Sequence, residues 1–311
     1  MRQFFLLILI GLVTTSCSKN IESKNTEIEI SLAQWSLHKP ILSGQLDPFD
    51  FPQKAKDLGF SKVEYVSQLF DLDSTLSHHD AVMAVAQVLK HKSDSLDITN
   101  GLIMVDQDGL SELDDTDRAH AVQVHKDWID AAVLLKAPSI RVNLFSLDNP
   151  EVWYKASVTS LKELSKYASS HNINVLVENH GGYSSNAALV AKVLTEVNMP
   201  NCGTLPDFGN FCIGRRDGDR WVSPCIEEYD MYKGVSELMP FNKGVSAKSF
   251  AFDDQGDETK IDYFKMFEII GSGTLNGPIG IEYEGQDENP DAGILATKAL
   301  IVKAHLRSLG K

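Results

Sequence analysis

The chain has 311 residues, 43% hydrophobic and 8% aromatic, with 29 Lys and Arg against 43 Asp and Glu. That composition belongs to a soluble globular protein, not to a coiled coil or a low-complexity chain. A formal charge of −14 argues against a nucleic-acid partner and an anionic membrane face, both of which are gripped through excess Lys and Arg. The expected partner is a neutral sugar-sized molecule or a cation.

Arg2 precedes an apolar run from Phe4 to Val13, too short to cross a bilayer of roughly 30 Å as a helix. Thr14, Thr15 and Ser16 then lead to Cys17. The pattern resembles a bacterial lipoprotein signal, with residues 1–16 removed, Cys17 lipidated and 17–27 a polar linker. Thr14 stands where such signals usually have Leu, so a plain secretory signal stays open. The chain is expected to be exported, periplasmic or an outer-membrane lipoprotein, meeting the membrane only through its lipid. Export permits disulfides among Cys202, Cys212 and Cys225. At ~3.3 Å per strand residue, Cys202 and Cys212 lie more than roughly 20 Å apart. Cys212 and Cys225 flank one Gly-rich, charged loop, and they are expected to pair.

From residue 28 onward, β-rich runs alternate with helix-period segments. The expected strands are 28–37, 62–70, 96–105, 139–145, 174–180, 202–210, 244–250 and 277–285. The expected helices are 49–58, 77–93, 115–136, 150–171, 185–198, 226–239, 260–271 and 290–308. Asn149-Pro150-Glu151 and Asn289-Pro290-Asp291 carry helix-start chemistry. Ala119, Val122, Trp128, Ala132 and Leu135 recur at spacings of three and four, the mark of a helix packed on a sheet. Eight βα units predict an α/β fold, a (β/α)8 TIM barrel in one domain over 28–311. An open doubly wound sheet is the runner-up, but no Gly-rich dinucleotide fingerprint follows a strand.

Active sites of such barrels sit at the C-terminal strand ends, and here those ends are polar. In chain order they carry Trp35 and His38, then Glu64, Asn100, and Arg141 with Asn143. Glu178 and His180 follow in Val-Glu-Asn-His, then Asp207, Ser246 with Lys248, and Glu282. Three acids in otherwise apolar strands repel one another unless a cation intervenes. An all-oxygen set favours Mn²⁺ or Mg²⁺; neutralisation by Lys248 and Arg141 without metal is the alternative. The acidic run Asp253 to Glu258 lacks calcium-loop spacing and is expected to be a surface turn.

Glu178 in Val-Glu-Asn-His, Asp207 in Pro-Asp-Phe-Gly-Asn and Glu282 in Gly-Ile-Glu-Tyr-Glu-Gly together resemble the xylose isomerase-like (β/α)8 superfamily of sugar epimerases, sugar-phosphate isomerases and inosose dehydratases. The resemblance spans about residues 28–305. It implies a divalent metal on Glu178, Asp207 and Glu282, with the two Glu as the acid/base pair beside a carbonyl. The family's strand-seven pattern has His two residues before a Lys, and Ser246 occupies that position before Lys248. Lys248 is the candidate for developing oxyanion charge; Trp35, His38, Glu64, Asn100, Asn143 and His180 are candidate substrate contacts. The implied enzyme is a metal-dependent isomerase or epimerase of an unphosphorylated sugar or keto-sugar, working by proton abstraction next to the carbonyl. Two alternatives remain: a lyase or hydratase eliminating the aglycone of a 3-keto-glycoside by the same enolate chemistry, and a non-catalytic sugar-binding lipoprotein. The sequence specifies no oligomeric state.

Overall fold

Every barrel strand is four to six residues long and nearly all are buried on both faces, which is why they read as apolar runs instead of alternating ones. The computed structural model describes residues 28–311 except 113, 147–148, 272–274 and 287–288. The expected signal segment, Cys17 and the expected linker lie outside the described residues. In chain order the elements are β1 (Ile30–Ala33), α1 (His38–Leu42), α2 (Phe51–Asp57), β2 (Lys62–Val66), α3 (His78–Leu96), β3 (Thr99–Met104), α4 (Asp115–Leu135), β4 (Ser139–Val142), α5 (Pro150–Ser169), β5 (Asn174–Glu178) and α6 (Ala187–Val197). There follow β6 (Cys202–Leu205), β7 (Cys212–Arg215), β8 (Cys225–Glu228), α7 (Met231–Leu238), β9 (Val245–Ser249), α8 (Tyr263–Ile270), β10 (Ile279–Tyr283) and α9 (Asp291–Ser308).

Eight strands pair in the order β6-β5-β4-β3-β2-β1-β10-β9, and each pairing is parallel. The two outer strands, β6 and β9, are joined by the isolated bridges Thr204–Asn242 and Asp207–Ser246. The result is a nearly closed (β/α)8 barrel, the expected architecture. The strands are shorter than the sequence runs because the polar ends peel into turns: Gln34–Leu37 is a 3-10 turn following β1.

Side chains follow from the period of two. On β5, Val175 and Val177 alternate with Leu176 and Glu178, and the latter pair faces the barrel interior. On α4, Val122, Trp128, Ala132 and Leu135 are buried as the spacing predicts, while Ala119 is exposed. Asn149 caps α5 by accepting from the backbone N–H of Glu151 and Val152 at 2.9 and 3.3 Å. Asn289 accepts from the Asp291 N–H at 3.1 Å at the start of α9.

One element departs from expectation. The segment 226–239 does not begin as helix; Cys225–Glu228 is a strand pairing antiparallel with Cys212–Arg215, and α7 starts at Met231. Cys212 and Cys225 are joined by a disulfide, Cα atoms 5.9 Å apart, and that cross-link holds the second strand against the first. Among the described residues no helix is long and apolar enough to cross a membrane.

Candidate active site

At the C-terminal ends of the strands lies a cavity of about 560 Å³ whose walls include Trp35, His38, Arg141, His180, Lys248 and Glu282. Glu178, Asp207 and Glu282 are all buried beneath it, and one oxygen from each lies within 4.8 Å of the others. Their placement is local chemistry. Glu178 ends β5, and the next residue, Asn179, clamps β5 to the chain beyond β6. Its amide donates to the Asp207 carbonyl at 3.0 Å, and its side-chain oxygen accepts from the Asp207 N–H at 2.8 Å. Asp207 Oδ1 accepts the backbone N–H groups of Gly209 and Asn210, each at 2.8 Å.

Ser246 and Lys248, two apart on β9, reach into the same cluster. The Ser246 hydroxyl lies 2.7 Å from Asp207 Oδ2 and 3.1 Å from Glu282 Oε2, so it stands between two acids. Lys248 Nζ donates to Glu282 Oε1 at 2.5 Å and Glu284 Oε1 at 2.9 Å, and lies 3.9 Å from Asp207 Oδ2. Gly209 admits the Lys248 stem: a Cβ there would meet Lys248 Cγ at 2.8 Å. On the far side Arg141 Nη1 bonds Asp106 at 2.5 Å, and its Nε lies 2.7 Å from Glu178 Oε2. That N–H is not aimed at the oxygen, so the buried Glu178 Oε2 has no hydrogen-bond donor among the described residues.

Burial dominates the electrostatics. It pushes Glu178 well above the usual carboxylate range against the pull of Arg141, and Glu282 and Asp207 push the same way. Asp207 is raised to about 6 by burial, with Lys248 opposing. For Lys248 burial alone would lower the pKa, but Asp207, Glu282, Glu284 and Glu178 together outweigh it and raise it well above the ordinary lysine value. The surrounding acids thus favour the charged form of Lys248.

Trp35 stacks on His38 with ring centroids 4.4 Å apart, and its indole N–H donates to Glu284 Oε1 at 2.7 Å. His180 sits across the cavity, edge-on to Trp221 at 4.8 Å. Three expected substrate contacts lie elsewhere. Asn100 is second in β3, where the β2–β3 register slips. It turns outward to Tyr65, Ser93 and the Leu135 carbonyl, bonding the sheet to its helices instead of a ligand. Glu64 faces inward but below the mouth, accepting from Ser31 Oγ at 2.5 Å and lining a cavity at the opposite, N-terminal end. Asn143 is buried and held by Arg141 and Asp106, so it positions those groups and does not line the cavity. Sequence reasoning missed Glu284, Asp106, Asn210 and Arg220. Glu284 carried a signal, since it shares a strand face with Glu282 two residues before it. Arg220 carried none, because it arrives on a hairpin.

The acids suit a hard divalent ion. They bring three formal charges against Arg141 and Lys248, leave Glu178 Oε2 without a donor, and offer only oxygen. Ser246 Oγ, bonded to Asp207 and Glu282, is a fourth oxygen at hand.

The family model described as "Xylose isomerase-like TIM barrel" matches residues 52–304. Among solved structures, a 3-keto-D-glucoside 4-epimerase from E. coli superposes with a TM-score of 0.64 at 12% identity, covering 89% of this chain and all (100%) of its own. A D-tagatose 3-epimerase-like protein gives 0.64 at 14% identity, covering 90% and 97%. An L-ribulose 3-epimerase gives 0.65 at 11% identity, covering 91% and 96%. At these identities the likeness is one of fold. No curated protein sequence matches.

Proposed function

The chain belongs to the xylose isomerase-like TIM-barrel family, and we propose that it is a sugar isomerase or epimerase shifting a proton beside the carbonyl of an unphosphorylated sugar or keto-sugar. The observation that carries this reading is the convergence of Glu178, Asp207 and Glu282 within 4.8 Å under a cavity large enough for a sugar. The solved structures of like fold include enzymes named for sugar epimerisation, which supports the same class.

Glu178 and Glu282 come from strands separated by β6 and β9, so they approach a bound carbon from two sides. One takes the proton and the other returns it, on the other face for epimerisation or at the neighbouring carbon for isomerisation. Lys248, whose charged form the neighbouring acids favour, stabilises the oxygen that gains negative charge. Trp35 offers the sugar an apolar face, and Asn210 steadies Glu178 by donating to Oε1 at 3.2 Å. Glu178, Asp207 and Glu282 would hold the divalent ion, Mn²⁺ or Mg²⁺; when bound it supplies Lewis-acid polarisation of the carbonyl.

An unphosphorylated substrate accords with the acids that already hold the cations deepest in the cavity, Arg141 and Lys248. Lys39 donates to the Gly285 carbonyl at 2.6 Å, and Arg215 to the carbonyls of Arg220 and Ser223 at 2.8 and 2.6 Å. Arg220 pairs with Asp108, Arg141 with Asp106, and Lys248 with Glu282. Among the described residues lining the cavity, Arg141 and Lys248 are thus matched by acids, while Lys39 and Arg215 are held by backbone carbonyls alone. Export directed by residues 1–16, which would leave Cys17 as a lipidated N-terminus, accords in its first part with the Cys212–Cys225 disulfide, since such bonds persist in oxidising compartments.

The test is solvent deuterium uptake by candidate keto-sugars with the purified chain and added Mn²⁺ or Mg²⁺. Exchange lowered by roughly 100-fold or more in Glu178→Gln and Glu282→Gln is the expected result. Metal binding without exchange on any sugar would leave a non-catalytic sugar binder. Elimination is the second reading, favoured by an adjoining cleft of about 550 Å³ that shares Phe250, Glu284 and Gln286 with the cavity and adds Phe252 and Tyr283. Release of an apolar aglycone from a 3-keto-glycoside would distinguish it.

A further inference from the structure

The β7–β8 hairpin delivers one arginine to three separate parts of the mouth. Arg220 Nη1 lies 2.9 and 2.8 Å from the two Asp108 carboxylate oxygens, on the loop after β3. Its Nε donates to the His180 carbonyl at 3.0 Å, and its Nη2 lies 2.8 Å from His180 Nδ1. The guanidinium plane rests over Phe145 at 4.4 Å and Trp221 at 5.3 Å. The approach depends on Gly181, which has φ +90° and whose Cβ, were there one, would meet Arg220 Cγ at 3.2 Å.

A guanidinium has donors only. His180 Nδ1 is therefore the acceptor in this contact, and the ring's single proton sits on Nε2. We infer that Arg220 is a positioning residue that locks His180 as the Nε2–H tautomer, so that the imidazole presents a hydrogen-bond donor at the cavity wall. In this state His180 can neither accept a substrate proton at Nε2 nor ligate a metal through it, and it does not join the carboxylate cluster. It instead selects an acceptor oxygen on the ligand, opposite a floor of acids that selects hydroxyls and cations. The ligand's being a sugar rests on the reading in the preceding section; the tautomer does not.

The test uses the purified chain with its disulfide intact and ¹⁵N-labelled histidine, with long-range ¹H–¹⁵N correlations assigned to His180 through His180→Gln. The wild type should show a protonated Nε2 and an unprotonated Nδ1. Arg220→Met should collapse this into the averaged pattern of a freely exchanging imidazole, and Arg220→Lys, which keeps a cationic donor on a different stem, should restore part of it. Unchanged thermal melting of both variants guards against loss of the fold, and Asp108→Asn, which frees Arg220 without touching His180, should give an intermediate pattern. A wild type with the proton on Nδ1, or an Arg220→Met variant that keeps the single Nε2–H tautomer, overturns the lock. If the tautomer is as stated but no keto-sugar moves the Nε2–H signal, the sugar assignment falls and the lock stands.

Discussion

Replacing Lys248 with Met leaves Asp207, Glu282 and Glu284 facing one another without the ammonium that touches all three. Removing one partner of a buried charge cluster costs about 3–5 kcal/mol. Lys248→Met should lose about that much in urea unfolding with a chelator present, and recover part of it when Mn²⁺ is added. A variant as stable as wild type under chelation would mean that the acids are not charged. Glu64 gives a pH signature of opposite origin. Burial raises its carboxyl from 4.5 to about 7, and its Oε2 has no hydrogen-bond partner among the described residues. Below pH 4.5 the group is protonated whether the chain is folded or not. Between 4.5 and about 7 only the unfolded chain ionises it, so its contribution destabilises the fold increasingly as pH rises, by about 3 kcal/mol, then levels off. Glu64→Gln should therefore exceed wild type in stability at pH 8, with the gap closing below pH 4.5. An equal gap at both pH values would refute the burial account. Glu178, Asp207 and Glu282 were legible because an acid in an apolar strand is costly without a purpose. Asn100 misled because its position within the strand, and hence its direction, depended on a register slip that composition does not encode.

The β7–β8 hairpin has little apolar anchoring. All four residues of β8 are exposed, those of β7 are half-buried, and the two strands pair only with each other. Its cross-link closes a separation of 13 residues, a loop size for which chain entropy is worth roughly 3 kcal/mol. Reduction should therefore loosen the hairpin and not the barrel. Limited proteolysis should cut between residues 213 and 224 after dithiothreitol treatment, with the main melting transition unmoved. A barrel that melts on reduction would show the hairpin to be part of the core. The segment 226–239 was expected to be helical from its start; the cysteine pairing was anticipated from chain reach, yet its consequence for the strand at 225–228 was not drawn. Helix starts fared better, since Asn149 carries its capping chemistry in adjacent residues.

At the scale of the whole molecule, barrel closure brings β5, β6, β9 and β10 together, and with them acids spanning residues 178 to 282. A divalent ion that binds only this assembled set stabilises the fold by mass action, by about 2.7 kcal/mol at one hundred times its dissociation constant. Thermal unfolding should shift upward with Mn²⁺ or Mg²⁺, fall back with chelator, and show no shift in Glu282→Gln. Identical melting with and without the ion would remove the metal from the account. The sequence by itself determined the alternation of strands and helices, the polar strand ends and the three acids, because each is written in local period and local composition. Tertiary structure alone decided that Ser246 lies between two of those acids, that Glu64 sits beneath the mouth and that Arg220 reaches His180. Those contacts join residues 36 to 40 positions apart, or depend on register and loop path, and neither follows from any short stretch of chain.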